Sequence, residues 1–350
     1  MDTCISSVTK KAVFLIMVAM AFLSFAGMVM AGDMETCKRC HSDVVENYTE
    51  SLHYTWRGVE GEYAKGAGAD YGLSVPKGCY KCHKPLQNCS CCHEMTGDYG
   101  HFGELTPNEK CMKCHKKRPG PNYMGMLAGF KKEGPHADVH YEAGMECKDC
   151  HGGDEMHGTA SKAPNERMAV EVRCEDCHIV NGTAHEIHKT SVDCAACHSG
   201  WMQTCSNCHL ETKKIDGSNT DEFYLIVGHE GKIVPAYRMQ KTYKNVSTTG
   251  WVERTPHTIT KDARDCAECH ENRNNILCEG CEGRIMIEGG HFITDEMRER
   301  ILTAEMPSEI EMPTPEVTPK PPGFELVFAV IALMVVAYLV KRSKRRKDRD

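Results

Sequence analysis

Cysteine and histidine carry the chemistry that this sequence allows. The pattern Cys-x-x-Cys-His occurs nine times and uses 18 of the 22 cysteines and nine of the 19 histidines. Two thiols three residues apart, with an imidazole beside the second, can bind a metal ion, act as a redox dithiol or carry a covalent haem. The nine motifs are Cys37-Cys40-His41, Cys79-Cys82-His83, Cys89-Cys92-His93, Cys111-Cys114-His115, Cys147-Cys150-His151, Cys174-Cys177-His178, Cys194-Cys197-His198, Cys205-Cys208-His209 and Cys266-Cys269-His270.

Haem attachment explains the order of the residues within each motif. The two thiols form thioethers with the haem vinyl groups, and the histidine that follows falls beneath the iron as its proximal ligand. Zinc sites pair Cys-x-x-Cys units without needing a histidine after each one. The repeated motif therefore favours nine covalent haems c over zinc or a redox dithiol.

On these motifs the sequence resembles the multihaem cytochromes c, over residues 37–291. Eight motifs fall within 37–209, one about every 22 residues, and only 7% of the chain is aromatic. That is too little polypeptide to enclose each haem separately, so we expect the haems to pack on one another. The expected fold is mostly α and irregular, wrapped around stacked haems, with a small β hairpin near 223–245.

Ten histidines lie outside the motifs, and bis-histidine ligation of nine haems needs nine of them. Methionine, present 20 times, is the alternative distal ligand. We expect eight distal histidines: His53, His101, His136, His140, His157, His185, His188 and His257.

Sequence context sets this ranking. A helix predicted over 43–54 would carry His53 back towards a neighbouring iron. His136 and His140 are four residues apart, which places both on one face of a helix. His229 ranks below these eight because it lies in the turn-like Gly228-His229-Glu230-Gly231, and His291 ranks with it.

Three cysteines of the exported region are left over. Cys91 lies inside the third motif, whereas Cys278 and Cys281 have the motif spacing but no proximal histidine. The last pair allows a disulfide, a free or metal-binding dithiol, or a tenth haem with unusual ligation. His291 follows ten residues after Cys281 and would be the spare ligand.

The N-terminus is typical of a secretory signal. Lys10 and Lys11 precede an apolar run to about Phe25, and Val29-Met30-Ala31 is a small-residue cleavage site. The alternative is an uncut N-terminal anchor. Either one exports the bulk of the chain.

The C-terminus predicts attachment to the membrane. A Pro- and Glu-rich stretch at 306–322 suits an extended spacer. An apolar segment within 323–340 and a basic tail at 341–350 follow, and positive charge beside an apolar segment stays cytoplasmic. Together with Pro322-Gly323-Phe324 they resemble the archaeal PGF-type sorting signal, which implies cleavage and a lipid anchor; the alternative is a short transmembrane anchor.

Charge limits the choice of partners. The whole chain has a formal charge of −7. Without 1–31 and the basic tail, 33 basic and 46 acidic side chains remain, a net charge of −13. No basic face is implied, which argues against nucleic acid and favours a cationic or neutral partner.

Conventional elements are predicted at three places. Thr106-Pro107-Asn108-Glu109 is a capping box that should start a helix running into His115. Thr294 can cap a helix over about 295–304. Residues 210–305 hold the ninth motif and a hairpin predicted from 223–227 and 232–234, and the region around His257 loosely resembles the octahaem hydroxylamine-oxidoreductase and tetrathionate-reductase grouping.

Three functions remain open. The first is a membrane-anchored conduit that passes electrons between a membrane carrier and an external or soluble acceptor, without catalytic residues. The second is a reductase or oxidase of a small nitrogen or sulfur compound at one five-coordinate haem, with Tyr237, Arg238, Tyr243 and Arg254 as candidate pocket residues. The third is a subunit of a haem filament, which a C-terminal anchor on every copy disfavours.

Overall fold

A computed structural model describes residues 34–74, 86–93, 95–96, 101–102, 108–116, 119–127, 130, 132–212, 214–215 and 219–305. The predicted signal segment, spacer, anchor and basic tail lie outside these residues, and so does the second motif, Cys79-Cys82-His83. For His101 and Cys205 only the backbone is described.

Short helices account for most of the regular structure before residue 200. Two of them begin at an aspartate cap directly before a cysteine motif: Asp193 accepts a hydrogen bond from Ala195 N at 2.9 Å, and Asp265 accepts one from Ala267 N at 3.0 Å. The helices are α1 (Met34–Lys38), α2 (Ser42–Thr49), α3 (Leu52–Thr55), α4 (Arg57–Tyr63), α5 (Ala69–Tyr71), α6 (Asn108–His115), α7 (Gly120–Tyr123), α8 (Val139–Glu142), α9 (Cys147–Cys150), α10 (Gly153–His157), α11 (Glu166–Ala169), α12 (Thr183–His188), α13 (Cys194–His198), α14 (Cys266–His270) and α15 (Asp295–Thr303).

Two helix predictions are confirmed and two are wrong. Helix α6 runs into the fourth motif, and Thr294 caps α15 by accepting a hydrogen bond from Met297 N at 3.2 Å. The helix predicted over 43–54 is interrupted, because Ser51 caps α3 separately by accepting from Tyr54 N. His136 and His140 do not share a helix, because Asp138 caps α8 and leaves His136 before it.

The strands form a larger sheet than the predicted hairpin. Strands β1 (Met95–Thr96) and β2 (His101–Phe102) pair with each other. The six-stranded sheet contains β3 (Cys205–His209), β4 (Lys214–Ile215), β5 (Tyr224–Val227), β6 (Ile233–Tyr243), β7 (Val246–Glu253) and β8 (Arg284–Ile285).

The predicted hairpin is the centre of this sheet. Strands β5 and β6 pair antiparallel from Tyr224↔Ala236 to Val227↔Ile233, and β7 pairs antiparallel on the other side of β6. Beyond the hairpin, β3 runs parallel to β6 and β8 runs parallel to β7. The spatial order is β4-β3-β6-β7-β8, with β5 also on β6.

This sheet carries a conventional apolar core. Leu225 and Val252 are almost fully buried and pack with Leu277 and Met286 from the segment that follows the ninth motif. Burial of each such side chain stabilises the fold by about 1.5–3 kcal/mol. The C-terminal part of the described chain is thus folded by its own side chains.

An ion-pair cluster around the largely buried carboxylate of Asp70 ties helix α5 to the sheet. Asp70 of α5 accepts hydrogen bonds from Lys241 Nζ at 3.1 Å, Thr248 Oγ1 at 2.8 Å and Arg284 Nη2 at 3.1 Å. These partners lie on β6, β7 and β8. Asp70 and these three partners belong to one compact unit of the chain. The described part of a second compact unit is Val180–Ile187.

Candidate functional site

One helical turn closes most of the described motifs. In the motifs that start at Cys37, Cys89, Cys147 and Cys174, the amide of the histidine donates to the carbonyl of the first cysteine at 2.9 Å. The fourth, seventh and ninth motifs lie within α6, α13 and α14. Residues at i, i+3 and i+4 share one face of a helical turn, so both thiols and the imidazole point to the same side.

The eighth motif is the exception. Cys205–His209 is strand β3, with an irregularity in its pairing to β6 between Cys205 and Cys208. In a strand, successive side chains alternate between faces, so residues three apart do not share a face. The sequence pattern did not distinguish this motif from the other eight.

Five motif histidines face a histidine from outside the motifs. Each pair of rings has its centroids between 5.9 and 6.4 Å apart. In each pair, one member follows a Cys-x-x-Cys and the other is one of the eight expected distal ligands. The pairs are His115 with His53 (6.4 Å), His93 with His157 (6.3 Å), His178 with His140 (5.9 Å), His151 with His257 (6.1 Å) and His270 with His188 (6.3 Å).

Hydrogen bonds fix which nitrogen is the donor in three of these rings. His140 Nδ1 lies 2.9 Å from Asp138 Oδ1, His151 Nδ1 lies 2.7 Å from Glu155 Oε2, and His270 Nδ1 lies 2.8 Å from the carbonyl of Ile301. Ionised carboxylates and carbonyls only accept, so Nδ1 is the donor in each ring and Nε2 is the nitrogen left to face a metal. This is the arrangement that orients histidine as a metal ligand.

The two carboxylates are themselves held in the ionised form. Asp138 is 3% exposed and Glu155 is 6% exposed. Burial opposes ionisation, but hydrogen bonds from His140 and from the amide of Ile259 keep the pKa of Asp138 below its usual value. Glu155 is stabilised in the same way by His151 and by the amide of Glu171, with its pKa also lowered.

His257 is the most enclosed of the paired rings. Burial, together with the nearby His151, lowers its pKa to about 4, so the imidazole is neutral at physiological pH. Arg254 adds to this effect from the preceding turn. A neutral, buried imidazole keeps its lone pair available for a metal.

Cysteines of successive motifs lie side by side. Hydrogen bonds join the thiol of Cys37 to Cys89, Cys111 to Cys147 and Cys174 to Cys194. Cys92 lies near Cys111 and Cys114, Cys150 near Cys177, and Cys197 near Cys266 and Cys269. Seven motifs therefore follow one another in space in chain order: the first, third, fourth, fifth, sixth, seventh and ninth.

The structure gives the remaining expected ligands other neighbours. His136 bonds the carbonyl of Ala137 through Nδ1 at 2.7 Å, and its ring packs edge-on against Trp201. His185 bonds the carbonyl of Asn181 at 2.7 Å within the second unit. Among the described residues no motif histidine ring is paired with His136, and for His101 only the backbone is described.

The two lower-ranked histidines also have local partners. His229 bonds Glu253 Oε2 at 2.8 Å through Nδ1, and that carboxylate also binds Arg167 Nε at 2.7 Å. His291 is exposed and bonds the carbonyl of Phe292 at 2.7 Å. The turn over Gly228–Gly231 is thus held by a buried carboxylate.

Cys278 and Cys281 form a disulfide. This is the first of the three alternatives predicted for the pair. A sulfur in a disulfide cannot also form a thioether, so this pair does not attach a tenth haem. Cys91 is a free, exposed thiol.

The pocket residues considered for an enzyme do not converge. Tyr237 packs in the sheet core, Arg238 pairs with Glu222, and Arg254 lies 3.3 Å from Glu166. The sequence analysis did not identify Asp138 or Glu155. Their spacing could have indicated them, because one carboxylate lies two residues before His140 and the other four residues after His151.

Within the part of the chain that the structure describes, three or more metal-ligating side chains do not converge on one point as a zinc site requires. In the same residues, every helix is too short or too polar to cross a membrane.

Comparison with known proteins gives one match, to the PGF-CTERM motif at residues 322–342. No curated protein and no solved structure matches the chain. The motif indicates an archaeal protein that is anchored at the cell surface through its C-terminus.

Proposed function

We propose that this protein is a surface-anchored multihaem cytochrome c that conducts electrons between a membrane carrier and an external or soluble acceptor. The observation that carries the proposal is the set of five ring pairs, each joining a motif histidine to one outside the motifs. Haem c, bound through the thioethers, would supply one-electron redox chemistry.

The ring separations suit ligation from two sides. An imidazole nitrogen binds a first-row metal at about 2 Å, so two rings on opposite sides of one ion have centroids roughly 6 Å apart. All five separations lie between 5.9 and 6.4 Å. The motif histidines would be the proximal ligands, and His53, His140, His157, His188 and His257 the distal ligands.

The order of the motifs supports conduction. Because cysteines of successive motifs lie side by side, groups held by seven motifs would form one file in chain order. The last motif in the file is also the nearest in sequence to the C-terminal anchor, and α15 holds its His270 through the carbonyl of Ile301. The first and ninth motifs are the two ends of this file.

One observation favours the alternative, an oxidoreductase for a small nitrogen or sulfur compound. His41 of the first motif is exposed, and among the described residues no second histidine ring faces it. An iron ligated only by His41 would leave one position for a substrate. The catalytic reading would place the reaction at this end of the file.

The remaining parts of the proposal concern location. The signal segment at 1–31 would export the chain, and the apolar segment at 323–340 would tether it. Residues 32–321 would then lie outside the membrane, with the spacer at 306–322 leading to the anchor. Cleavage near Pro322-Gly323-Phe324 would leave a lipid anchor in place of a membrane span. The net charge of −13 over 32–340 fits a cationic or neutral redox partner.

Optical and EPR spectra of the purified holoprotein, with carbon monoxide added after reduction, test the proposal. A conduit predicts low-spin spectra that carbon monoxide does not change. A high-spin fraction of about one ninth that shifts with carbon monoxide would replace the conduit by the oxidoreductase.

A further inference from the structure

A buried guanidinium lies between the seventh and ninth motifs. Arg264 has a side chain only 14% exposed. Its amide donates to the carbonyl of Cys197 at 2.8 Å, which attaches the backbone to the seventh motif. Two residues later, Cys266 begins the ninth motif. The position of Arg264 is therefore fixed by both motifs at once.

The guanidinium reaches both motifs through its own hydrogen bonds. Nη2 donates to the carbonyl of Ser199, directly after His198, at 2.7 Å. Nη1 donates to Glu268 Oε2, inside the ninth motif, at 2.7 Å. The plane lies 3.7 Å above the ring centroid of Phe223, a favourable cation–π contact.

The charge of Arg264 is only partly balanced. Glu268 is 29% exposed, so water screens it more than it screens Arg264. Nε is buried and has no hydrogen-bond partner among the described residues. The field of Arg264 also reaches sulfur atoms of both motifs: although burial raises the pKa of the Cys197 and Cys269 thiols, Arg264 acts to lower both.

We infer that Arg264 is a positioning residue for electron transfer, which raises the reduction potentials of the centres held by the seventh and ninth motifs. A fixed positive charge in a dry, low-dielectric position favours the state that holds one more electron. The inference rests on the proposed function, because it needs a redox centre at each motif. It assigns to Arg264 the electrostatic control of the step between the seventh and ninth motifs.

Three variants of the full-length holoprotein test the sign of this effect by spectroelectrochemical titration. Arg264→Gln should lower the reduction potential of two of the nine components by about 59 mV. For a one-electron couple this is a tenfold change in the equilibrium constant for reduction. Glu268→Gln should raise the same two. Arg264→Lys keeps the charge and should restore most of the shift, although it loses the bond to Ser199.

Arg273→Gln is the matched control. Arg273 also pairs with acids beside the ninth motif, Asp265 and Glu271, but it is 49% exposed. Its removal should leave all nine components unchanged.

Two results would overturn the inference. One is an unchanged titration of Arg264→Gln at full haem content. The other is a shift of Arg264→Gln and Glu268→Gln in the same direction, as general loosening of the site would produce. A wild-type protein without haem would instead defeat the proposed function, and the haem absorbance shows which has failed.

Discussion

His257 and His151 lie face to face, although 106 residues separate them in the chain. Their ring centroids are 6.1 Å apart and their planes are inclined by 27°. His151 directly follows helix α9 and His257 lies in the loop after β7, so the fold itself brings the two together. Glu155 fixes the proton on His151, and burial keeps His257 neutral.

This pair gives the first prediction. His257→Ala should open one coordination position without loss of any thioether. Carbon monoxide should then bind about one ninth of the reduced haem, which a difference spectrum measures. His291→Ala is the control, because that ring is exposed and faces its own backbone, and it should bind none. An unchanged spectrum of His257→Ala would remove His257 from the ligand set.

The sequence selected histidines that the structure brings near the motifs, but it did not predict how they pair. Of the eight histidines expected as distal ligands, the structure places five opposite a motif histidine: His53, His140, His157, His188 and His257. Spacing could not supply the pairing, because the partners come from distant parts of the chain. The spacing also wrongly placed His136 and His140 on one helix, because α8 begins only after its cap at Asp138.

The sheet was underestimated for a physical reason. The stretches Phe223–Val227 and Lys232–Val234, on either side of Gly228–Gly231, identified β5 and the start of β6. Both faces of these strands are buried, which suits a continuous apolar run. Strand β3 contains the eighth Cys-x-x-Cys-His motif, and its pairing with β6 depends on tertiary contacts that no local pattern reports. The disulfide between Cys278 and Cys281 was one of three alternatives that spacing alone could not separate.

The second prediction concerns the carboxylate behind His140. Asp138→Asn should make the imidazole a weaker electron donor and raise the potential of one centre. It should also cost about 1–3 kcal/mol, because one amide oxygen replaces two carboxylate oxygens that accept from His140 and from Ile259 N. Redox titration and denaturant unfolding measure the two effects. A loss of stability with no change of potential would mean that His140 is not a ligand.

The third prediction is a pH dependence set by Glu62. Burial and a hydrogen-bonded partner, Glu166, raise the pKa of Glu62 to about 8 from 4.5, with Arg254 opposing. The folded protein therefore holds a proton that the unfolded chain releases. The stabilising effect is complete below the unfolded pKa and is lost as the pH rises through about 8.

The matching experiment compares unfolding free energies of wild type and Glu62→Gln. As the pH rises from about 5 to about 9, the free energy of unfolding of Glu62→Gln should increase relative to that of wild type by about 2 kcal/mol. This figure allows for solvent screening of a partly exposed group. Glu60→Gln, exposed on the same helix α4, should show no such change. A constant difference at all pH values would place the proton elsewhere.

The fourth prediction counts thiols. If nine motifs carry thioethers and Cys278–Cys281 is a disulfide, signal cleavage leaves Cys91 as the one free thiol among the 22 cysteines. Alkylation under denaturing, non-reducing conditions should add one label, at Cys91, and prior reduction should add two more. Labels on Cys205 and Cys208 would show that strand β3 holds no haem.

The most direct test of the central claim is the intact mass of the mature protein under denaturing conditions, after expression in a host that attaches haem c. The account predicts nine haem increments on one chain. A mass with no haem increment, and with the motif cysteines open to alkylation, would contradict it.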